Sequence, residues 1–185
     1  MVVIPAGNYR VGSESFYPEE SPVRTIHLEA FAIDVAPVTN AEFARFVADT
    51  GYLTVSEKPP DPDLYPNLPP EEQCPESAVF IPPPASVDRS QPLSWWALVE
   101  GANWRHPQGP STSIDDRMEH PVVHLAYEDA VAYAQWAGQR LPTADEWEVA
   151  ARGGLVEHPN ESYSGPEASS RCRNTDEFAM LVQDQ

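Results

Sequence analysis

The sequence predicts an α+β domain with little regular secondary structure. Three features carry that expectation. Short apolar or alternating runs near the N-terminus read as strands of a small sheet. Two T-x-x-E stretches, each followed by apolar residues at helical spacing, read as helix starts. Proline fills 21 of 185 positions, more than twice its usual roughly 5%, so regular structure is interrupted often.

In chain order, Val2 to Ile4, Thr25 to Leu28 and Phe31 to Asp34 are the expected strands, separated by turn residues. Thr39-Asn40-Ala41-Glu42 then has the form of a capping box, Phe43, Phe46 and Val47 follow on one face, and Gly51 stands where a C-terminal cap belongs. This predicts a helix of about three turns. Between Pro59 and Pro92 eleven prolines exclude a helix or a central strand. That segment is expected as a long loop held against the body by Leu64, Tyr65, Val79, Phe80 and Ile81. Trp95, Trp96, Leu98 and Val99 read as a core-like cluster ahead of the loop GANWRHPQGPSTSI, residues 101–114, which has neither helical nor strand periodicity.

Residues 120–138, HPVVHLAYEDAVAYAQWAG, run from an expected strand (Val122 to Leu125) into a second helix. Val131 and Ala134 form its buried stripe and Gly138 its cap. Thr143 and Glu146 open a third helix in which Trp147, Ala150 and Ala151 keep the apolar spacing and Gly153-Gly154 end it. Trp104 and Trp147 are expected in the core. Beyond Leu155 the chain turns polar and loses any strong period.

A chain of this length is one domain by default. Lys and Arg total 11 against 29 Asp and Glu, a net charge of -18, which repels a phosphate backbone or an anionic membrane surface. Lys58 is the only lysine, so arginine carries nearly all the positive charge, which suits fixed hydrogen-bonded geometry. No basic segment leads into a long apolar run, and none reaches the roughly 20 apolar residues of a membrane span. A soluble, cytoplasmic chain is expected. Cys74 and Cys172 form no C-x-x-C or zinc spacing, and neither a disulfide nor a compartment follows from them.

Candidate chemistry is sparse. His120 and His124 have the spacing of a helical zinc pair, but Pro121 and Val122-Val123 favour extended backbone, where four residues span roughly 13 Å. A structural histidine is the expectation. Glu128 and Asp129 fall in the first turn of the second helix, where negative charge complements the helix dipole. Arg105 and His106, flanked by Trp104 and Pro107, read as a brace for their loop. No Gly-rich phosphate loop or serine triad motif is present.

Several stretches together resemble one family, the formylglycine-generating enzymes or sulfatase-modifying factors. They are IPAGNYRVGSE, FAIDVAPVTNAEFARFVADTGYLT, WWALVEGANWRHPQGP and HPVVHLAYEDAVAYAQWAGQRLPTADEWEVAARGG. R-L-P-T-x-x-E-W-E marks the broad superfamily, while GANWRHPQGP with HPVVH points to the formylglycine-generating branch. The resemblance implies a compact mixed fold related to C-type lectin-like folds. It also implies sulfatase maturation by post-translational modification, in which an oxidoreductase uses oxygen and copper to convert the cysteine of C-x-P-x-R to formylglycine.

The resemblance further implies a domain over residues 1–155 corresponding to the family's N-terminal part, followed by a divergent polar tail, 156–185. In the family a copper-binding catalytic cysteine pair follows a G-N-x-W-E-W motif. Neither is found in this sequence, and most calcium ligands also fall after the match stops. Cys172, in SSRCRNTD, lacks the flanking motif and receives no catalytic role. The expectation is a truncated and inactive form, whether fragment, frameshift product or natural relative. By alignment with GYLT, Ser56 and Asp61 fall near the peptide groove, with Trp104 beside them in the GANWRHPQGP loop. The expected partner is a sulfatase polypeptide bearing C-x-P-x-R. The alternatives are a non-catalytic protein- or ligand-binding module on a lectin-like scaffold and an oxidase forming sulfur–carbon bonds at a histidine-held metal.

Overall fold

The computed structural model describes residues 1–15, 17–70, 73–82, 94–153 and 181–184. Along the chain run β1 (Val2–Ile4), β2 (Gly7–Val11), β3 (Arg24–Leu28), β4 (Phe31–Ile33) and α1 (Asn40–Thr50). They are followed by β5 (Glu76–Phe80), β6 (Trp96–Glu100), α2 (Tyr127–Trp136), α3 (Ala144–Ala151) and β7 (Val182–Asp184). Two compact units result, one of Met1–Pro37 with Ala137–Gln185 and one of Val38–Trp136. The expected boundary at 155/156 lies outside the described residues.

In the first unit β1, β4 and β7 form an antiparallel sheet in that order, and β2 pairs with β3. β4 is buried along its length. Phe31 and Ile33 pack with Val182, flanked by Ile4, Leu28, Trp147 and Ala150. β7 differs from the expectation of a polar tail: Leu181 and Val182 are fully buried, and Val182 exchanges backbone hydrogen bonds with Arg140. Three residues are too few to display a period, so only the pairing reveals this strand. β2 was also absent from the expected strands, because Gly7 and Asn8 read as turn residues although Tyr9 and Val11 face inward.

α3 opens on the expected Thr143–Glu146 capping box. Glu146 does more than cap. Its carboxylate accepts from Arg140 Nη1 and Nη2, at 2.7 and 2.6 Å, and from the Thr143 amide at 2.8 Å. The Arg140 bonds, opposed by burial, push its pKa down to about 2. Glu148 accepts from Gly12 N at 2.7 Å and from Arg152, so the R-L-P-T-x-x-E-W-E signature acts as a clamp between helix and strands. Ala151 is exposed, contrary to its place in the expected apolar stripe. Gly153 adopts φ 62° after the helix, while Gly154 lies outside the described residues.

In the second unit α1 carries the expected capping box at Thr39 and ends at Gly51 in the left-handed region, φ 68°. Phe43 stacks on Tyr133 and meets Trp104 and Phe46 edge-on, with Phe46 continuing to Tyr52 and Trp136. This aromatic cluster is the core of the unit. Ala134 is buried as expected, whereas Val131 is half-buried and Tyr133 does more of the packing.

Three expectations are corrected here. The proline-rich segment contains a strand, β5, because Glu76–Phe80 lies between Pro75 and Pro82 and pairs only with β6. Among its proposed anchors only Val79 is buried; Leu64, Tyr65, Phe80 and Ile81 are exposed. Trp96 and Leu98 are exposed too, since β6 shows them with Phe80 on the uncovered face of a two-stranded ladder. Finally, Val122 to Leu125 is no strand: Val122 N bonds Val38 O, and His124 breaks the extended path at φ 59°.

Candidate functional site

The site is built in the second unit around the one-turn segment Val55–Glu57. Thr54-Val55-Ser56-Glu57 is itself a T-x-x-E box, a signal the sequence reading passed over. Glu57 Oε2 accepts from Thr54 N at 2.9 Å and from Thr54 Oγ1 at 2.7 Å. With Glu57 N donating to Thr54 O at 3.1 Å, these bonds satisfy donors of a turn too short to hold itself.

Asp129 anchors the same turn from α2. It is fully buried, not the solvated first-turn acid that its position suggests. Its carboxylate accepts from Tyr52 Oη at 3.0 Å, Val55 N at 3.0 Å and Ala126 N at 2.8 Å. A buried charge persists only when so partnered. Burial, and then the bond to Asp129, push the Tyr52 phenol up to about 12.

Loop 101–114 closes the other side. Gly101 has φ 71°, and a Cβ there would lie 2.7 Å from Pro110 Cγ, so glycine is required. Asn103 and His106 exchange backbone bonds, and His106 Nδ1 donates to Thr112 O at 2.5 Å. The Arg105 guanidinium lies 4.1 Å from the centre of the Trp104 ring and 3.9 Å from Glu57. Arg105 and His106 therefore brace the loop.

Of the expected substrate-contact residues, Ser56 is half-buried in the turn and donates to His124 O at 3.1 Å. Trp104 is fully buried and donates through Nε1 to Glu57 Oε2 at 3.3 Å, so it supports the Ser56 turn from within. Asp61 belongs to a different, exposed turn, where its carboxylate accepts from Asp63 N at 2.8 Å. The structure thus brings Ser56 and Trp104 together through Glu57 and gives Asp61 a turn of its own.

His124 has both ring nitrogens engaged, Nδ1 with Ser77 Oγ at 2.7 Å and Nε2 with Pro107 O at 2.8 Å. It is a structural histidine, as expected, whereas His120 is exposed. Cys74 is half-buried, and Cys172 lies outside the described residues. Among the described residues no three His, Cys, Asp or Glu side chains converge to hold a metal ion, and no helix is long and apolar enough to cross a membrane. The geometry is that of a hydrogen-bonded, acceptor-rich frame.

Comparison with known proteins places this frame in a family context. The model of the sulfatase-modifying factor enzyme 1-like domain matches residues 1–179, well past residue 155, where the expected similarity stops. The formylglycine-generating enzyme of Mycobacterium tuberculosis is 54% identical over 156 residues, 84% of this chain and 52% of that protein. That of Thermomonospora curvata is 44% identical over 179 residues, 93% of this chain and 55% of that protein. A bovine relative named inactive C-alpha-formylglycine-generating enzyme 2 is 41% identical over 159 residues, 84% of this chain and 49% of that protein. The chain spans about half the length of these relatives.

Proposed function

The chain belongs to the sulfatase-modifying factor family, and from that membership we propose that it carries a peptide-recognition part of a formylglycine-generating enzyme. The substrate is a sulfatase polypeptide whose C-x-P-x-R cysteine is oxidised to formylglycine. The observation that carries this reading is the 54% identity to the Mycobacterium tuberculosis enzyme, which extends through the segments that frame Ser56. In this reading Ser56 and Asp61 face the bound polypeptide, and Trp104 holds the Ser56 turn in place. Asp61, exposed on its turn, suits the motif's arginine by charge-assisted hydrogen bonding. The net charge of -18 favours approach of a basic segment.

Copper supplies the redox chemistry in this family, and copper(I) prefers two converging thiolates. The described residues do not fit copper: Cys74 is their only cysteine, and no three of their His, Cys, Asp or Glu side chains converge to hold a metal ion. The proposal is therefore peptide binding without turnover by this chain.

The test incubates purified, copper-loaded protein with a C-x-P-x-R peptide in air and follows the cysteine by mass spectrometry, while fluorescence anisotropy measures binding. The expected result is saturable binding and no aldehyde. Conversion abolished by Cys172→Ser would overturn the proposal, because it would place an active site in the tail. The 41% identity to a relative named inactive favours a second reading, a non-catalytic binding module. Equal affinity for the motif peptide and a scrambled one would support that reading instead.

A further inference from the structure

One residue bonds to three separate parts of the frame around Ser56. His124 sits at φ 59°, a region unfavourable to a residue other than glycine that persists only where surroundings over-determine it. Three contacts do so here. Nε2 faces Pro107 O at 2.8 Å, Nδ1 faces Ser77 Oγ at 2.7 Å, and the His124 carbonyl takes the Ser56 hydroxyl at 3.1 Å. These join loop 101–114, β5 and the Val55–Glu57 turn.

The protons follow from the chemistry of the partners. A carbonyl only accepts, so the hydrogen must be on Nε2, and in the neutral ring Nδ1 is then bare and accepts the Ser77 proton. Ser56 Oγ lies between the His124 carbonyl at 3.1 Å and Thr54 Oγ1 at 3.2 Å; the carbonyl can only accept and is the stronger acceptor, so it takes the single proton of Ser56. Both hydroxyl protons are committed to one residue, and what the half-buried serines keep for the outside is lone pairs. A nucleophilic Ser77 is the competing reading of a serine on a histidine. It would need a stabilised imidazolium, yet Nε2 faces a neutral carbonyl where catalytic triads place a carboxylate.

We infer that His124 is a positioning residue that makes Ser56 and Ser77 acceptor-only groups, so that the face they line takes N–H donors of a bound polypeptide and disfavours anions. The identity of the ligand rests on the peptide-recognition reading above. The tautomer does not.

Two measurements on the whole chain separate them. Long-range proton–nitrogen NMR of histidine-labelled protein, with His124 identified by the signals lost in His124→Asn, is expected to show Nε2 protonated and Nδ1 bare without any ligand. A proton on Nδ1 with Nε2 bare would overturn the inference. Anisotropy with the C-x-P-x-R peptide then compares two variants. Asparagine tolerates left-handed backbone and offers Oδ1 to Ser77, so His124→Asn is expected to bind within about threefold of the parent, and His124→Leu about tenfold more weakly. Equal loss in both variants would also overturn the acceptor role. A parent that shows the expected tautomer and binds no peptide refutes the peptide reading and the face's assigned ligand, and leaves the hydrogen-bond assignment standing.

Discussion

Replacing Trp104 by alanine should be among the most damaging single changes in the second unit. The ring is fully buried, meets Phe43 edge-on at a centroid distance of 5.1 Å and lies 4.1 Å from the Arg105 guanidinium. Truncating a buried tryptophan to alanine costs about 3–5 kcal/mol through lost transfer energy and the cavity left behind. Losing the Arg105 stacking adds about 0.5–1 kcal/mol. The Glu57 bond adds little, since at 3.3 Å it is long and the carboxylate keeps both Thr54 donors. The expected loss is therefore near the top of the range, about 5 kcal/mol, comparable with the whole stability of a marginal domain. Trp104→Phe keeps a ring against Phe43 and should lose about 1–2 kcal/mol, since it deletes part of the buried surface. Trp147 is only half-buried, so Trp147→Ala should cost about half as much as Trp104→Ala. Urea unfolding of the four proteins, followed by circular dichroism, measures the differences. A Trp104→Ala loss below about 2 kcal/mol, or one no larger than that of Trp147→Ala, would refute the assignment of Trp104 to the core.

Two further outcomes are expected. Glu146 has its pKa lowered from 4.5 to about 2, chiefly by Arg140; its contribution is present above the unfolded value and is lost as pH falls from about 4.5 toward 2. At neutral pH that contribution is on the order of 3 kcal/mol, and denaturation of Glu146→Gln against parent should show the stability gap closing over that acid window. Asp61→Asn retains an oxygen for the Asp63 amide but removes the charge, so it should weaken C-x-P-x-R peptide binding about tenfold with unchanged unfolding; unaltered affinity by anisotropy would remove Asp61 from the peptide face.

The helices were legible because their signals are local. Thr39 with Glu42 and Thr143 with Glu146 satisfy backbone donors within one turn, and the apolar residues that follow need only a period of 3.6 to be read. The family, too, was legible, in segments such as GANWRHPQGP and HPVVH. The same local logic failed where one residue could serve two masters. Asp129 has the spacing of a helix-dipole acid, yet its carboxylate is aimed at the Tyr52 hydroxyl and the Val55 amide, 77 and 74 residues away in the chain. Trp96 and Leu98 look like core, and nothing in their own sequence says that the opposite face of β6 would be the covered one.

The sequence by itself determined the α+β class, the capping of α1 and α3, the brace formed by Arg105 and His106, and membership of a family, because each depends on near neighbours or on residue identity. Only tertiary structure decided that Val182 joins β4, that Trp104 and Asp129 hold the Ser56 turn, and that His124 ties β5 to loop 101–114. Those contacts close long loops, and a hydrogen bond between residues far apart leaves no period in the chain. What selects them is the requirement that every buried donor and acceptor find a partner, a condition imposed by the whole packed unit and by no single segment.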